Sequence, residues 1–206
     1  VFNCQNILVF NSGTQTNPIP VTASGPNGAE CENVLKISSN RPTWLIDLDY
    51  KPNEDLLLYA KYARGYRQGT IIAANLGLEK AGPERVDTIE LGAKASFRGA
   101  VPGYFNIAAF YNDFRDQQIA VNAVVADAFV NLISPSQVIA NAGKSRIWGF
   151  EVDTSIRPFE GLKLEASYAY LNTRLVSITP PTPPVFFKRL DPVASPGSEL
   201  AQSPKN

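Results

Sequence analysis

Apolar and polar side chains alternate with a period of two along several stretches of this 206-residue chain. The clearest alternation is in DTIELGAKASF, residues 87–97, where one face of an extended strand would carry Ile89, Leu91, Ala93, Ala95 and Phe97. Such alternation is typical of a β-strand whose two faces meet different surroundings. The pattern predicts six strands, at about residues 43–51, 56–67, 86–98, 104–120, 145–157 and 162–175.

The connections between these strands alternate between short and long. The short ones are KPNED at 51–55, RGAVPG at 98–103 and PFEG at 158–161, all rich in turn-forming residues. The long ones are residues 68–85 and 121–144, with 1–42 before the first strand and 176–203 after the last. Long structureless loops are uncommon in compact soluble domains, whereas outer-membrane barrels combine short periplasmic turns with long extracellular loops. The sequence therefore predicts an all-β fold, an antiparallel transmembrane β-barrel segment.

The surroundings of each face of such a sheet, lipid or water, determine which side chains that face carries. A sheet can lie in lipid only if it closes into a barrel, and its outward side chains must be apolar. We expect Leu58, Ala60 and Tyr62 to face lipid, and Tyr59 and Lys61 to face a wet lumen. A mixed-charge lattice is expected on the lumen face, at Glu90, Lys94, Glu151, Asp153, Arg157, Lys163 and Glu165. Aromatic girdles are expected near the strand ends, from Trp44, Tyr50, Tyr66, Phe97, Tyr104, Phe105, Trp148, Phe150 and Tyr168.

The composition excludes several classes of function. Nineteen Lys and Arg residues balance nineteen Asp and Glu residues, so no net charge attracts the chain to nucleic acid. There is no histidine, which excludes histidine-based general acid–base catalysis, Ser-His-Asp triads and imidazole metal sites. We therefore predict no enzymatic activity, no metal site and no bound cofactor. The longest apolar runs are about five residues, too short for a transmembrane helix, and the absence of methionine and of a signal peptide indicates an internal fragment.

The two cysteines, Cys4 and Cys31, flank a stretch rich in Gly, Pro, Asn and Ser. Their spacing fits no zinc or redox motif. In an oxidising compartment they would form a disulfide that closes a long loop, and the alternative is a pair of unpaired thiols.

Several phrases of the sequence resemble strand motifs of one family. The phrases, in chain order, are WLIDLDYKPNEDLLLYAKYARGYRQG, PERVDTIELGAKASF, GYFNIAAFYNDFRDQQI, NAGKSRIWGFEVDTSIRPFEGLKLEASYAYLNTRL and SPKN. The first four are similar to the motifs Y-x-x-Y-x-R-G-Y-R, P-E-x-x-x-x-x-E-L-G-x-K, N-x-A-x-F-Y-x-D-F-x-D-x-Q and N-A-G-x-x-x-x-x-G-x-E of TonB-dependent outer-membrane receptors. The resemblance covers residues 43–206, and we interpret residues 1–42 as an extracellular loop region.

The resemblance implies a monomeric receptor of about 22 strands in the bacterial outer membrane, of which this chain would supply about six. Such a receptor contacts outer-membrane lipid, engages the TonB complex through parts outside this chain, and imports a scarce small-molecule nutrient such as a ferric siderophore or a corrinoid. Arginines and aromatic rings suit such ligands. Arg64, Tyr66 and Arg67, near the outer mouth, are the ligand-binding candidates. In the structural alternative, the arginines bridge lumen carboxylates such as Glu90, and Tyr66 belongs to a girdle.

Three further questions stay open from the sequence. A small complete outer-membrane barrel, either a porin or an adhesin, and a soluble ligand-binding β-domain are the alternative functions. The apolar loop AVNAVVADAFVNLISPSQVIANAG, residues 120–143, is expected to pack over the barrel mouth or to extend a strand. Phe186 and Phe187 would form either an aromatic ligand patch or a local packing contact.

Overall fold

The fold is all-β in a computed structural model that describes residues 36–72, 77–127, 136–201 and 203. The strands are β1 (Trp44–Asn53), β2 (Leu56–Arg67), β3 (Thr70–Ile71), β4 (Lys80–Ala81), β5 (Glu84–Phe97), β6 (Gly103–Val125), β7 (Ser136–Phe159), β8 (Leu162–Ile178) and β9 (Phe187–Pro192). No helix in these residues is long and apolar enough to cross a membrane. Cys4, Cys31 and most of the 1–42 loop region lie outside the described residues, so the disulfide stays a prediction.

Six long strands form one antiparallel sheet in the order β1-β2-β5-β6-β7-β8. Each pairs with its neighbour along the chain, and β1 and β8 are the edges of the sheet in the part of the chain that the structure describes. The turns at 54–55, 98–102 and 160–161 all lie at one end of the sheet. The last of them uses a positive φ of 84° at Gly161, which glycine adopts at no steric cost. The predicted antiparallel sheet and its short turns are confirmed.

Strands β6 and β7 are much longer than the alternation predicted. They have 23 and 24 residues, because both continue past the end of β5 as a hairpin. β9 adds a third strand by pairing with β6 at residues 121–125. The predicted loop at 121–144 is therefore wrong in length: only residues 126–135 separate the two strands. The strand-extension alternative is confirmed.

This extension, formed by the outer ends of β6 and β7 together with β9, contains a buried apolar cluster. The cluster consists of Val121, Ala123, Val125, Val138, Ala140, Ala142, Phe186, Phe187 and Leu190. Phe186 and Phe187 are 7% and 5% exposed, so they are packing residues and not an open ligand patch. The segment before β9, rich in proline, thus brings two aromatic rings back onto the extension.

The rest of the sheet has one apolar and one polar face. On the apolar face the register aligns one residue from each of five neighbouring strands: Ile46, Tyr62, Ile89, Tyr111 and Trp148. Ile89 and Leu91 there are 52% and 57% exposed, as expected for side chains whose solvent is lipid. Leu58, Ala60 and Tyr62 share this outward face, as predicted, while Tyr59 and Lys61 share the lumen face with Glu90.

Two aromatic residues lie outside the predicted girdles. Tyr104 pairs with Ser96 and Ser155, which places it on the lumen face. The outward-facing apolar side chains between the row of five aligned residues and the short turns form the apolar belt. Tyr66 lies on the outward face, but it is four residues beyond Tyr62 along β2 and next to Arg85, past this apolar belt. The girdle at this end instead includes Trp44 and Tyr62, whose ring centroids are 6.5 Å apart. The alternation of apolar and polar residues did not show whether each aromatic residue near a strand end would lie within the apolar belt or beyond it.

Candidate functional site

A cluster on the lumen face centres on the ring of Tyr59. The ring lies against Gly92 on the neighbouring strand, so closely that a Cβ at this glycine would overlap it. The Tyr59 hydroxyl donates to Glu90 at 2.9 Å, and the Nζ of Lys61 lies 3.3 Å from the same carboxylate. Lys61 and Lys94 place their ammonium groups 5.5 and 5.6 Å from the ring centroid. The Tyr59 ring and the Glu90 carboxylate thus hold the charges of this cluster in fixed positions along the barrel wall.

The same face carries the remainder of the predicted charge lattice. Asn106 and Ser167 donate to the two oxygens of Asp153, at 3.4 and 3.3 Å. Lys163 and Glu165 form an ion pair of 2.5 Å near the turn at 160–161. The two contacts of Asp153 join neighbouring strands, whereas Lys163 and Glu165 both lie on β8, and all these polar groups keep the interior wettable. They suit a water-filled lumen and supply no arrangement for bond-making chemistry.

Arg64 lies on the outward face, directly beyond the apolar belt. Its Nε donates to Asp87, and its guanidinium lies 4.4 Å from the ring centroid of Trp44. The hydroxyl of Tyr62 donates to the same carboxylate at 3.2 Å. Asp87 lies beyond the membrane-spanning segment, and the hydrogen bond from Arg64 holds the pKa of its carboxyl below the ordinary value. Arg64 is therefore fully engaged by neighbours that fix the end of the belt.

Arg67 points to the opposite side of the sheet, toward the lumen. Its Nε lies 2.6 Å from Oε1 of Glu84, while its own side chain remains 62% exposed. Glu84 is buried, and its second oxygen accepts a hydrogen bond from the Gln118 backbone N–H at 2.7 Å. Both candidate arginines do pair with carboxylates, but the predicted partner, Glu90, is wrong. Arg64 takes Asp87 and Arg67 takes Glu84.

Tyr66 lines a cavity of about 240 Å³ at the outer end of β2. The other lining residues are Arg41, Pro42, Arg64, Pro83, Glu84, Arg85 and Asp116. The structure therefore brings Tyr66 and Arg64 together and leaves Arg67 outside this lining. Three arginines and two acidic residues line this cavity together with one tyrosine, a polar lining that suits a ligand with several hydrogen-bonding oxygens.

A hydrogen-bond network that the sequence reasoning missed holds the 68–83 connection against the extension. Asn141 of β7 donates from its Nδ2 to the carbonyls of Gly82 and Asp116, at 2.9 and 2.7 Å. Its Oδ1 accepts the Gly82 N–H. Gln118 of β6 donates to the carbonyls of Gly82 and Gln68, at 2.9 and 3.2 Å. Two side-chain amides thus bond to the backbone of Gln68 and Gly82, in a connection whose described strands are the two-residue β3 and β4.

The network depends on an irregularity in β6. The pairing with β7 shifts register around Phe114 and Gln117, and Asp116 adopts a positive φ of 55°. This conformation is uncommon for a residue other than glycine, although aspartate tolerates it better than most. The shift turns the Asp116 carbonyl to the Asn141 amide.

A signal for this network was present in the sequence. The residues of the network occupy specified positions in three of the receptor-like motifs, P-E, D-x-Q and N-A-G. They are Glu84, Asp116, Gln118 and Asn141. They are far apart along the chain, with 59 positions between Gly82 and Asn141, and they meet only through the sheet. These motif letters thus have a structural role at the outer mouth.

Comparison with known families gives one clear result. A family model described as "TonB dependent receptor-like, beta-barrel" matches residues 12–206. The match begins within the 1–42 region, where no family phrase had been recognised. Comparison with curated proteins and with solved structures gave no match.

Proposed function

The chain belongs to the TonB-dependent receptor-like β-barrel family, and we propose that its receptor binds and imports a scarce nutrient such as a ferric siderophore or a corrinoid. Membership places the chain in the bacterial outer membrane, in a family of transporters that are energised by TonB and are not enzymes. The class of nutrient and the residues that contact it are the parts we propose.

The observation that supports ligand contact best is the position of Arg67. It lies at the end of β2 on the lumen face, and its side chain is 62% exposed although Glu84 anchors its Nε. A guanidinium held at one edge keeps its other donors free for an anionic oxygen of the ligand. Glu84 is itself fixed by the Gln118 backbone, so Arg67 is positioned before the ligand arrives.

We propose that Tyr66 and Arg64 contribute less to ligand binding than Arg67 does. Tyr66 lines the cavity at the mouth, where its ring can contact a ligand or an overlying loop. Arg64 lines the same cavity, but its donors already engage Asp87 and Tyr62, and Trp44 lies against its guanidinium. A ligand would have to break these contacts to use Arg64, so its main contribution is to the stability of the belt's end.

Binding of ferric siderophores and corrinoids to the intact receptor in detergent tests the proposal. R67Q is expected to raise the Kd of the preferred ligand about tenfold, the loss that corresponds to one charged hydrogen bond. R64Q is expected to lower thermal stability with a smaller change in Kd. R98Q is the matched control, because Arg98 pairs with Asp55 at the opposite end of the sheet.

Each outcome separates a different part of the proposal. An unchanged Kd in R67Q would exclude the lumen-face contact. A wild-type receptor that binds neither ferric chelates nor corrinoids would exclude this nutrient class and leave the family function in place. If cells that lack TonB took up the nutrient at the wild-type rate, a porin-like barrel would be favoured instead.

The alternatives of a small complete barrel and a soluble β-domain have less support. The family match spans residues 12–206 and is to receptor barrels. A soluble domain would also leave Leu48, Ile89 and Leu91 exposed to water, at 70%, 52% and 57%. Stable, monodisperse folding without detergent would favour the soluble domain over the receptor.

A further inference from the structure

The outward face beyond the apolar belt differs in charge balance between its two halves. On the β2 and β5 side, Arg64 and Arg85 both lie within 4 Å of Asp87. On the β6, β7 and β8 side there are four cationic side chains: Arg115, Lys144, Arg146 and Arg174. Asp113 is the carboxylate that meets them on this face in the described residues. The second half of the face therefore carries an excess of positive charge.

Asp113 is already occupied by two of these four cations. The Nε of Arg115 lies 2.5 Å from one of its oxygens, and the Nζ of Lys144 lies 4.0 Å from the other. Arg146 is opposite Asp113 in the register, yet it makes no ion pair with it. One carboxylate cannot neutralise this set.

Arg146 and Arg174 form a like-charge pair directly across β7 and β8. Both side chains are exposed, and neither makes a side-chain ion pair or hydrogen bond within residues 36–72, 77–127, 136–201 and 203. Like charges directly opposite each other destabilise a strand pair. Two such arginines are therefore suited to share an anion that lies outside the protein.

Their position indicates where that anion would be. Next to Arg146 toward the belt is Trp148, which is 45% exposed and whose ring centroid lies 5.5 Å from that of Tyr170 on β8. Exposed Trp and Tyr side chains mark the boundary between hydrocarbon and headgroups. The arginine pair lies at the next outward-facing position beyond this boundary. This is the end of the sheet opposite the short turns, which is the extracellular end in such barrels.

We propose that Arg146 and Arg174, supported by Lys144, bind the phosphate group of a lipid in the outer leaflet of the outer membrane. Phosphate is the anion of the headgroup layer, and two planar guanidinium groups can bind its oxygens in a bidentate manner. Below the phosphate, the rings of Trp148 and Tyr170 would contact the lipid's apolar part. The site faces away from the lumen, so it is independent of the nutrient that the receptor imports.

Native mass spectrometry of the intact receptor, titrated with bis-phosphorylated lipid A in detergent, tests this site. R146Q/R174Q is expected to raise the Kd for lipid A at least tenfold. The double variant R98Q/R157Q removes the same charge near the short turns and is expected to leave the Kd within about twofold. R146K/R174K keeps the charge but loses the planar fork, so an intermediate Kd is expected.

Two further titrations of the wild-type receptor keep the test decisive even where a variant fails to fold. Dephosphorylated lipid A is expected to bind at least tenfold more weakly than the phosphorylated form. Millimolar inorganic phosphate is expected to leave lipid A bound, because it lacks the apolar contacts. Equal binding of phosphorylated and dephosphorylated lipid A would overturn the proposal. Displacement of lipid A by inorganic phosphate would also overturn it, in favour of a free-anion site.

Discussion

The membrane-crossing part of the sheet and its extracellular extension place apolar side chains in opposite ways. In the belt, Leu48 and Leu91 are 70% and 57% exposed, on a single sheet whose outward face has no second layer packed against it among the described residues. In the extension, Val121 and Val138 are 0% and 1% exposed, because β9 and its aromatic residues cover them. One pair of strands, β6 and β7, passes through both regions. The comparison shows that the surrounding solvent, lipid or water, decides where the same residue types lie.

The largest expected effect is on the core of the extension. Phe187→Ala should lower the free energy of opening of this region by about 3 to 5 kcal/mol, the usual cost of removing a buried phenyl ring. Phe187 is 5% exposed and starts the strand that pairs with β6. Hydrogen exchange of residues 121–125 and 187–192 measures the change. Val185→Ala, at a side chain 73% exposed, is the control and should change exchange little; equal effects of both would contradict the buried core.

The next effect contrasts the two faces of the belt at adjacent residues. Ala109→Arg puts a charge on the outward face beside Leu91 and should cost about 2 to 4 kcal/mol if that face meets lipid near the bilayer midplane. Ala108→Arg puts the same charge on the lumen face, opposite Glu151, and should cost under about 1 kcal/mol. Urea titration of the protein folded into lipid vesicles measures both. A larger loss in Ala108→Arg would reverse the assignment of the faces.

The smallest of the three effects concerns the contact between the extension and the 68–83 connection. Asn141→Ala removes the hydrogen bonds to Gly82 and Asp116 and should cost about 1 to 3 kcal/mol, because the Gly82 backbone groups that it leaves are partly buried. Faster hydrogen exchange at residues 80–84 would show the loss. Asn122→Ala, at an exposed residue of the same extension, is the matched control. Unchanged exchange in Asn141→Ala would mean that the network does not hold the connection.

The sequence predicted the belt well because a period of two is a local property. Each of the six long strands was expected, and the faces of Leu58, Tyr59 and Glu90 agree with the register. Where each strand meets a different solvent on its two sides, adjacent residues differ in polarity and the pattern is easily read.

The extension was less predictable because its strands are held by partners distant along the chain. Beyond Gln117 the register shifts, and although Val121, Ala123 and Val125 still alternate along β6, the residues that cover them come from β9, far along the chain. The segment FKRLDP, residues 187–192, has no pattern that indicates pairing with residues 121–125. The candidate arginines were found from motif letters, but the partners Asp87 and Glu84 depend on cross-strand register, which composition does not encode.

The central claim is that the Ile89 side of β5 meets lipid and the Glu90 side meets water. Single spin labels at consecutive positions 88–97, omitting Gly92 under the Tyr59 ring, test it in the receptor reconstituted into bilayers, with Cys4 and Cys31 replaced by Ser. Collision rates with molecular oxygen should peak at Ile89, Leu91, Ala93 and Ala95, and those with a water-soluble nickel chelate at Glu90 and Lys94. Peaks in the reverse phase, or no period of two, would contradict the account.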